Sequence, residues 1–191
     1  MTQLDVIENP ATGERVRWHV RSSDTAGRLV RFEMWCAPGG GVTTTHVHPK
    51  GDERFEMLAG TVGIELGDDY REAGPGDSVV IPAGVRHRWR TVGDEPAHFF
   101  VELDAPGRFE EQLEVFFTLG RLGHLGTGGR VPLPMAARIV AGDLDTMRLP
   151  GMPRAVQRVV LGSLSAIAHI TGDARRVREA RAVVANGKAT R

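Results

Sequence analysis

Residues 45–60 read THVHPKGDERFEMLAG, and this stretch decides the interpretation of the whole chain. His46 and His48 are two residues apart, so in an extended strand both imidazoles project from the same face. Glu53 follows five residues after His48. Two imidazoles and a carboxylate at this spacing indicate a metal site, although ordinary surface polarity produces the same pattern. The surrounding sequence decides between these two interpretations.

A third histidine occurs in a similar setting further along the chain. Residues 76–87 read GDSVVIPAGVRH, which predicts a strand, a turn at Pro82-x-Gly84, and His87 at the start of the next strand. Trp89 and Thr91 then lie on the same face as His87. His87 therefore becomes a candidate third imidazole for the same site.

The first stretch resembles one of the two sequence motifs of the cupin superfamily. The glycine, histidine and glutamate positions of that motif coincide, without a gap, with Gly40, His46, His48, Glu53 and Gly60. A single His-x-His pair is weak support for metal binding. The complete frame of glycines and ligands is much stronger support.

The second stretch resembles the other cupin motif. Its positions coincide with Gly76, Pro82, Gly84 and His87, and 15 residues separate the two motifs. The motif usually ends in asparagine four residues after the histidine, where this chain has Thr91. The departure leaves the metal ligands in place and changes one polar position of the barrel.

The resemblance covers about residues 28–104 and implies a mainly β fold, a cupin (double-stranded β-helix or jelly-roll) barrel. It also implies one divalent metal ion with His46, His48, Glu53 and His87 as ligands. Mixed nitrogen and oxygen ligation suits Fe, Mn, Ni, Cu or Zn and does not choose among them. Glu56 is the competing carboxylate, but strand alternation places it on the face opposite Glu53.

The alternation of apolar residues independently predicts a β domain over residues 1–104. Short alternating segments are separated by Gly, Pro and Asp clusters, as in sandwiches and barrels. The predicted strands are 28–36, 42–48, 55–66, 77–82, 86–92 and 97–103.

After Gly107 the apolar period becomes helical. About three helices are predicted, over residues 108–122, 134–141 and 153–170, and the last two open with a proline suited to the first turn. We expect residues 105–172 to form a helical extension that packs on the barrel or on a dimer partner. Residues 173–191 are expected to be a basic tail, either a frayed helix or a loose segment. The glycine-rich residues 123–129 are interpreted as a linker or as a lid over the barrel mouth.

Several residues are candidates for the lining of a pocket beside the metal. Thr44 shares the face of His46 and His48, while Trp89 and Thr91 share that of His87, so all three are expected inside the barrel. Cys36 is interpreted as a small buried hydrophobe, because no activating partner for its thiol is evident.

His98 and Glu102 lie on one face of the last predicted strand. They are interpreted either as groups close to the metal ligands or as solvent-facing residues opposite an apolar inner face.

Composition excludes several functional classes. Lys plus Arg and Asp plus Glu balance at 24 each, so no strong field attracts nucleic acid or an anionic membrane. The single cysteine excludes an intramolecular disulfide and a zinc site of the CxxC type. The sequence contains no run of 18 apolar residues, so no membrane span is predicted. The polar N-terminal sequence lacks the apolar core of a signal peptide. The expected location is cytoplasmic.

The expected function is that of a metal-dependent cupin, foremost a mononuclear metal oxygenase or dioxygenase acting on a small organic substrate. Two alternatives remain open, a non-oxidative metal-dependent isomerase or lyase and a small-ligand-binding module without catalysis. The resemblance also implies a homodimer, since cupins often form dimers. The chain shows no helix-turn-helix or basic surface for DNA.

Overall fold

The structure is a computed structural model that describes residues 6–189. Within these residues nine strands come first: β1 Val6–Asn9, β2 Glu14–Val20, β3 Leu29–Cys36, β4 Glu53–Ala59, β5 Thr61–Leu66, β6 Asp69–Ala73, β7 Ser78–Ile81, β8 His87–Val92 and β9 Ala97–Asp104. Four α-helices follow: α1 Phe109–Arg121, α2 Leu133–Val140, α3 Arg154–Ile170 and α4 Asp173–Ala189.

The strands form two antiparallel sheets. The larger has the order β1-β2-β3-β9-β4-β7, and the smaller has the order β6-β5-β8. The main apolar core combines residues of both sheets, such as Phe32 and Phe99 of the larger with Ile64 and Trp89 of the smaller, and therefore lies between them. This arrangement confirms the predicted jelly-roll class.

Strand alternation correctly identifies the inner face. In β3, Val30, Phe32, Met34 and Cys36 are at most 5% exposed. In β9, every second residue from Ala97 to Leu103 is buried in the same core. These two strands pair along their full length and form the centre of the larger sheet.

Two of the predicted strands, 55–66 and 42–48, differ from the observed elements. The strand expected over 55–66 is divided at Gly60 into β4, in the larger sheet, and β5, in the smaller. The buried apolar residues are Phe55 and Met57 before the break and Val62 and Ile64 after it, so the alternation changes phase at Gly60. Strand β6 was not predicted, since its residues are exposed except for Ala73 and show no buried face.

The strand expected over 42–48 is an irregular segment. It hydrogen-bonds to β8 at Gly40, Val42 and His46, and of these three residues only His46 forms a β-bridge to β8, with His87. No continuous ladder forms between these points, and Thr43 and Thr44 are exposed. The segment still runs antiparallel beside β8, which brings its two histidines next to His87.

Helix α1 joins the barrel to the rest of the helical region. As predicted, one face packs on the barrel core through Phe117, with Leu113 and Phe116 beside it. The opposite face contributes Val115 and Leu119 to a second apolar cluster. The predicted helices 108–122, 134–141 and 153–170 correspond to α1, α2 and α3 within one residue at either end.

The segment expected to be a basic tail, either a frayed helix or a loose segment, is largely the fourth helix. In α4, Val177 and Ala180 are fully buried against α1 and α2. The sparse apolar residues of this segment gave a weak helical pattern, and their burial depends on a groove that other helices provide. Residues 1–5 of the expected barrel and 190–191 of the expected tail lie outside the described residues. From Val6 to Ala189, no helix has the length and hydrophobicity needed to cross a membrane.

We predict that Gly60→Ala destabilises the protein much more than Gly67→Ala. Both glycines have a left-handed φ, +67° and +64°. That conformation costs an alanine roughly 1–2 kcal/mol. At Gly60 a Cβ would also collide with the backbone of Pro96 and Ala97, whereas at Gly67 it would meet nothing within 4 Å. We expect Gly60→Ala to cost about 1–3 kcal/mol more, by the usual magnitude of overpacking. Urea unfolding of both variants measures the two losses of stability. Equal losses would contradict the close contact of Gly60 with the backbone of Pro96 and Ala97.

Candidate metal centre

The four ligand candidates meet inside the barrel. His46, His48, Glu53 and His87 are each between 1% and 4% exposed. Each offers one ligand atom, and these four atoms lie within 4.8 Å of one another. Residues separated by up to 41 positions in the sequence therefore form one buried cluster of the type that divalent metals occupy.

Each ligand candidate stands at a defined place in the fold. Glu53 is the first residue of β4, and His87 is the first residue of β8. His46 is opposite His87, with backbone N–H to carbonyl distances of 2.9 Å in both directions. His48 follows two residues later on the same side, and its carbonyl accepts a hydrogen bond from Gly84 in the turn before β8.

Backbone carbonyls fix the tautomer of all three imidazoles. The Nδ1 atom of His46 lies 2.9 Å from the Thr44 carbonyl, that of His87 lies 3.0 Å from the Val85 carbonyl, and that of His48 lies 2.8 Å from the Thr146 carbonyl. A carbonyl oxygen only accepts hydrogen bonds, so each Nδ1 carries the proton. In a neutral ring the Nε2 lone pair is then free to bind a metal, which is the usual arrangement of metal-binding histidines.

Three of the ligand atoms that face the centre of the cluster form no hydrogen bond with any of the described residues. His48 Nε2, His87 Nε2 and Glu53 Oε2 are buried and form no hydrogen bond of acceptable geometry, although Glu53 Oε2 and His87 Nε2 approach each other as an ion pair. Native proteins rarely leave buried polar atoms in this condition, because each costs about 1–3 kcal/mol. A divalent cation satisfies all of these atoms together, so the residues present fit a metal.

Their distances fit as well. Glu53 Oε2 lies 3.0 Å from His87 Nε2 and 3.8 Å from His48 Nε2. Metal bonds of roughly 2.0–2.2 Å allow two ligand atoms to be at most about 4.4 Å apart. The largest separation in the cluster, 4.8 Å, needs an adjustment of only a few tenths of an ångström.

The charges of the cluster also favour a cation. Burial, with a smaller effect from the neighbouring His87, lowers the pKa of His46 to about 4, so this imidazole is neutral at pH 7. Burial acts to raise the pKa of Glu53, but contact with His87 and the other imidazoles outweighs it and lowers the pKa. Burial likewise acts to lower the pKa of His87, and the Glu53 carboxylate reverses the effect. The Glu53 carboxylate is therefore kept ionised beside the imidazoles, which is the form that binds a cation.

An aromatic side chain from outside the barrel borders the cluster. Phe109, the first residue of α1, has its ring centroid 6.1 Å from that of His48 and 5.8 Å from that of Phe32. The sequence predicted Phe109 only as part of the packing face of a helix. The structure adds an apolar wall beside His48, one of the ligand candidates.

The three predicted pocket residues occupy different places. The side chain of Thr44 is exposed, which corrects the expectation that it points into the barrel, and only its carbonyl touches the cluster, through His46. Trp89 is 5% exposed and packs edge-on against Phe55 and Phe99, so it is part of the core.

Thr91 is buried as expected, but it belongs to a different part of the barrel. Four residues of strand separate it from His87, a span of about 13 Å. Its hydroxyl is beside Cys36, whose thiol also contacts Glu14. Burial and the Glu14 charge raise the pKa of Cys36 to about 12, which agrees with an unreactive buried thiol.

His98 and Glu102 face outward, as the apolar inner face of β9 requires. His98 Nε2 lies 2.6 Å from Glu33, which also contacts His19 and Arg17 on the outside of the larger sheet. Trp35 stacks on His98 with a centroid distance of 4.5 Å. These residues form a separate surface cluster that does not reach the metal ligands.

A polar cavity of about 330 Å³ is lined by Thr45, Glu65, Gly67, Asp68, Arg86 and His87. The His87 side chain has no exposed surface, and Glu65 and Arg86 are exposed and paired with Arg88 and Asp68. The cavity therefore lies outside the barrel and does not open onto the His87 imidazole.

Comparison with known proteins supports the fold. Residues 32–103 match the family model described as "Cupin domain". This part of the chain is a cupin domain. The matched region contains all four ligand candidates of the metal cluster, whereas helices α1–α4 lie outside it. No curated protein sequence matches the chain.

Several solved structures are similar to the cupin domain. The polyketide cyclase RemF from Streptomyces resistomycificus is 28% identical, with 55% of this chain and 75% of that chain covered and a TM-score of 0.45. A sugar phosphate isomerase of the cupin superfamily from Silicibacter pomeroyi is 22% identical, with 53% and 71% covered and a TM-score of 0.44. Oxalate decarboxylase from Bacillus subtilis is 20% identical, with 54% and 27% covered and a TM-score of 0.45.

We predict that the double variant His46→Ala/His87→Ala loses about one equivalent of bound divalent metal. Two of the converging nitrogens are removed, while the fold retains its apolar core. Elemental analysis of protein purified without chelators measures the stoichiometry. The matched control is His19→Ala/His98→Ala, which also removes two histidines but from the outer surface of the sheet. Equal metal contents in the two double variants would refute the assignment of the site.

Proposed function

We propose that this protein is a mononuclear metal enzyme, with one divalent ion held by His46, His48, Glu53 and His87. The observation that carries the proposal is the set of buried, unsatisfied atoms that converge where a metal fits. A ligand set of three imidazoles and one carboxylate leaves coordination positions for other molecules, unlike a closed structural site. Among the possible reactions, we place oxygenation of a small organic molecule first.

The surroundings of the site support oxygen chemistry. The four ligand residues are almost completely shielded from solvent, and Phe109 and Phe32 provide an apolar border next to His48. Such surroundings exclude bulk water, which protects reactive species from side reactions. A redox-active divalent metal held by these residues would supply Lewis acidity and would relay electrons from the substrate to oxygen.

The protein's own residues have distinct parts in this proposal. The carbonyls of Thr44, Val85 and Thr146 keep the imidazoles in the ligand tautomer. Glu53 supplies one negative charge, so the site with a divalent ion keeps a net charge of about +1. In a site of low dielectric, this charge favours the binding of an anionic group of a substrate.

We predict that the iron- or copper-loaded protein consumes oxygen in the presence of a substrate from a panel of phenols, flavonoids and enediols. Oxygen uptake is measured with an electrode, and products are identified by mass spectrometry. Glu53→Gln, which keeps the size of the side chain and removes its charge, should lower both metal content and uptake at least tenfold, the range seen for altered metal ligation. The control His98→Ala should keep both.

Other outcomes would select the alternatives. About one equivalent of zinc in the native protein, with turnover under nitrogen, would replace oxygenation by a non-oxidative isomerase or lyase reaction, with the metal as Lewis acid. Absence of bound metal even after reconstitution would overturn the enzyme proposal. A small-ligand-binding module would then be the better interpretation.

We further propose that the protein acts as a homodimer. Helix α3 presents an apolar face to solvent, with Val159 69% and Ile170 88% exposed. Val156, Val160 and Ile167 extend this face along the helix. Contiguous exposed apolar surface of this kind commonly marks a protein interface.

We predict that Val159→Glu converts the dimer to a monomer, because a buried charge at an apolar interface has no partner. Size-exclusion chromatography with light scattering gives the mass. Leu58→Glu is the control, since Leu58 is 44% exposed on the outer side of the larger sheet. A monomer produced by Leu58→Glu instead would move the interface to the sheet, and a wild-type monomer would refute the homodimer.

A further inference from the structure

One metal ligand depends on a segment far outside the cupin domain. His46 and His87 donate to carbonyls two residues away in their own segments, but His48 donates to Thr146, 98 residues later in the chain. Thr146 lies in the loop between α2 and α3. We call residues 143–149 of this loop the strap.

The strap pairs directly with the segment that carries the histidines. Val47, between His46 and His48, exchanges backbone hydrogen bonds with Arg148 at 3.0 and 3.1 Å. The strap thus acts as a short additional strand beside the metal-binding segment. The Thr146 carbonyl then reaches the buried Nδ1 of His48 at 2.8 Å.

A network of hydrogen bonds around Thr146 holds the first half of the strap in position. The Asp143 carboxylate accepts hydrogen bonds from the Thr146 N–H, at 3.2 Å, and from the Thr146 hydroxyl. Both side chains also accept from the backbone N–H of Arg108, which immediately precedes α1. Thr146 is 2% exposed, so these bonds are shielded from water and the carbonyl of this residue has little freedom to move.

A glutamine clamps the other half of the strap. The Gln157 side chain of α3, 2% exposed, accepts from the Leu149 N–H at 3.0 Å and donates to the Leu149 carbonyl at 2.8 Å. The same amide donates to the Met152 carbonyl. The strap is therefore fixed at both ends by the helical region and is not a free loop.

We propose that the strap is part of the metal site, with Asp143, Thr146 and Gln157 as positioning residues that hold His48 in its ligand tautomer. The inference rests on the proposed metal centre and adds a component from outside the family-matched region. Without the Thr146 carbonyl, the proton of His48 is free to occupy Nε2, where it blocks the ligand lone pair. The helical extension would thereby set the metal affinity of the barrel.

The test compares two strap variants with a matched control. Asp143→Ala/Thr146→Val removes the side-chain hydrogen bonds that hold the first half of the strap. Gln157→Met releases the other end while keeping the size of the side chain. The control is Asp173→Ala, which removes a buried aspartate elsewhere in the helical region, one that contacts Thr171 and Arg176. The control therefore reproduces a general loss of stability without touching the strap.

Competition with a chromogenic chelator gives the dissociation constants for Co²⁺ and Zn²⁺. We expect 10- to 100-fold weaker binding in each strap variant, the effect typical of losing a partner of a metal-binding histidine. The Asp173→Ala control should bind within about twofold of wild type by the same standard.

Nuclear magnetic resonance of the metal-free protein supplies the second readout. Long-range ¹H–¹⁵N correlations report the tautomer of each histidine. In the strap variants we expect His48 to lose its pure Nδ1–H form, while His46 and His87 keep theirs. General destabilisation would not single out one of the three rings.

Wild-type affinity and an unchanged His48 tautomer in both folded strap variants would overturn the inference, even if the wild-type protein binds metal. If the double variant does not fold, the metal affinity and the His48 tautomer of Gln157→Met alone decide the test. Failure of the wild-type protein to bind any metal would instead remove the proposed metal centre. The His48 tautomer would then still show whether the strap positions the ring.

Discussion

The convergence of three imidazole nitrogens and one carboxylate in a buried place is the constraint on which the rest of the site depends. Polar groups removed from water need partners, and an unpaired carboxylate is the most costly of them. The protein supplies partners for the Nδ1 side of each ring through backbone carbonyls and turns the inner sides towards a place that could hold a cation. Each carbonyl must be held rigidly, because a rotation of the ring would move the lone pair away from the centre.

The jelly roll meets this requirement for two of the histidines with local geometry. The antiparallel bridge between His46 and His87 sets the two rings side by side, with centroids 4.2 Å apart. Their acceptors, Thr44 and Val85, lie at matching positions two residues earlier in each segment. This part of the site is a product of strand pairing inside the cupin domain.

The third histidine connects the site to the helical region. Phe109 at the start of α1 borders the His48 ring, and the loop before α3 supplies its hydrogen-bond acceptor. The same helix α1 shares one face with the barrel core and the other with α2 and α4. Packing of the helical region and the geometry of His48 are therefore linked through a few contacts.

The sequence by itself determined the barrel, its inner face and the four ligand candidates. Alternation in β3 and β9 depends only on the two-residue period of a strand, and the motif spacing specifies His46, His48, Glu53 and His87 by residue type. Helix α1 was equally readable, because Phe109, Leu113, Phe116 and Phe117 repeat with the period of a helix. Such local periodicities need no knowledge of distant contacts.

Only the tertiary structure decided the remainder. The break at Gly60 depends on a change of sheet, the exposure of Thr44 depends on an interrupted ladder, and the burial of Val177 depends on a groove between other helices. The partner of His48 was invisible for a deeper reason. Thr146 contributes a carbonyl, which every residue possesses, and that group gains its role only because folding brings it to a ring 98 positions away.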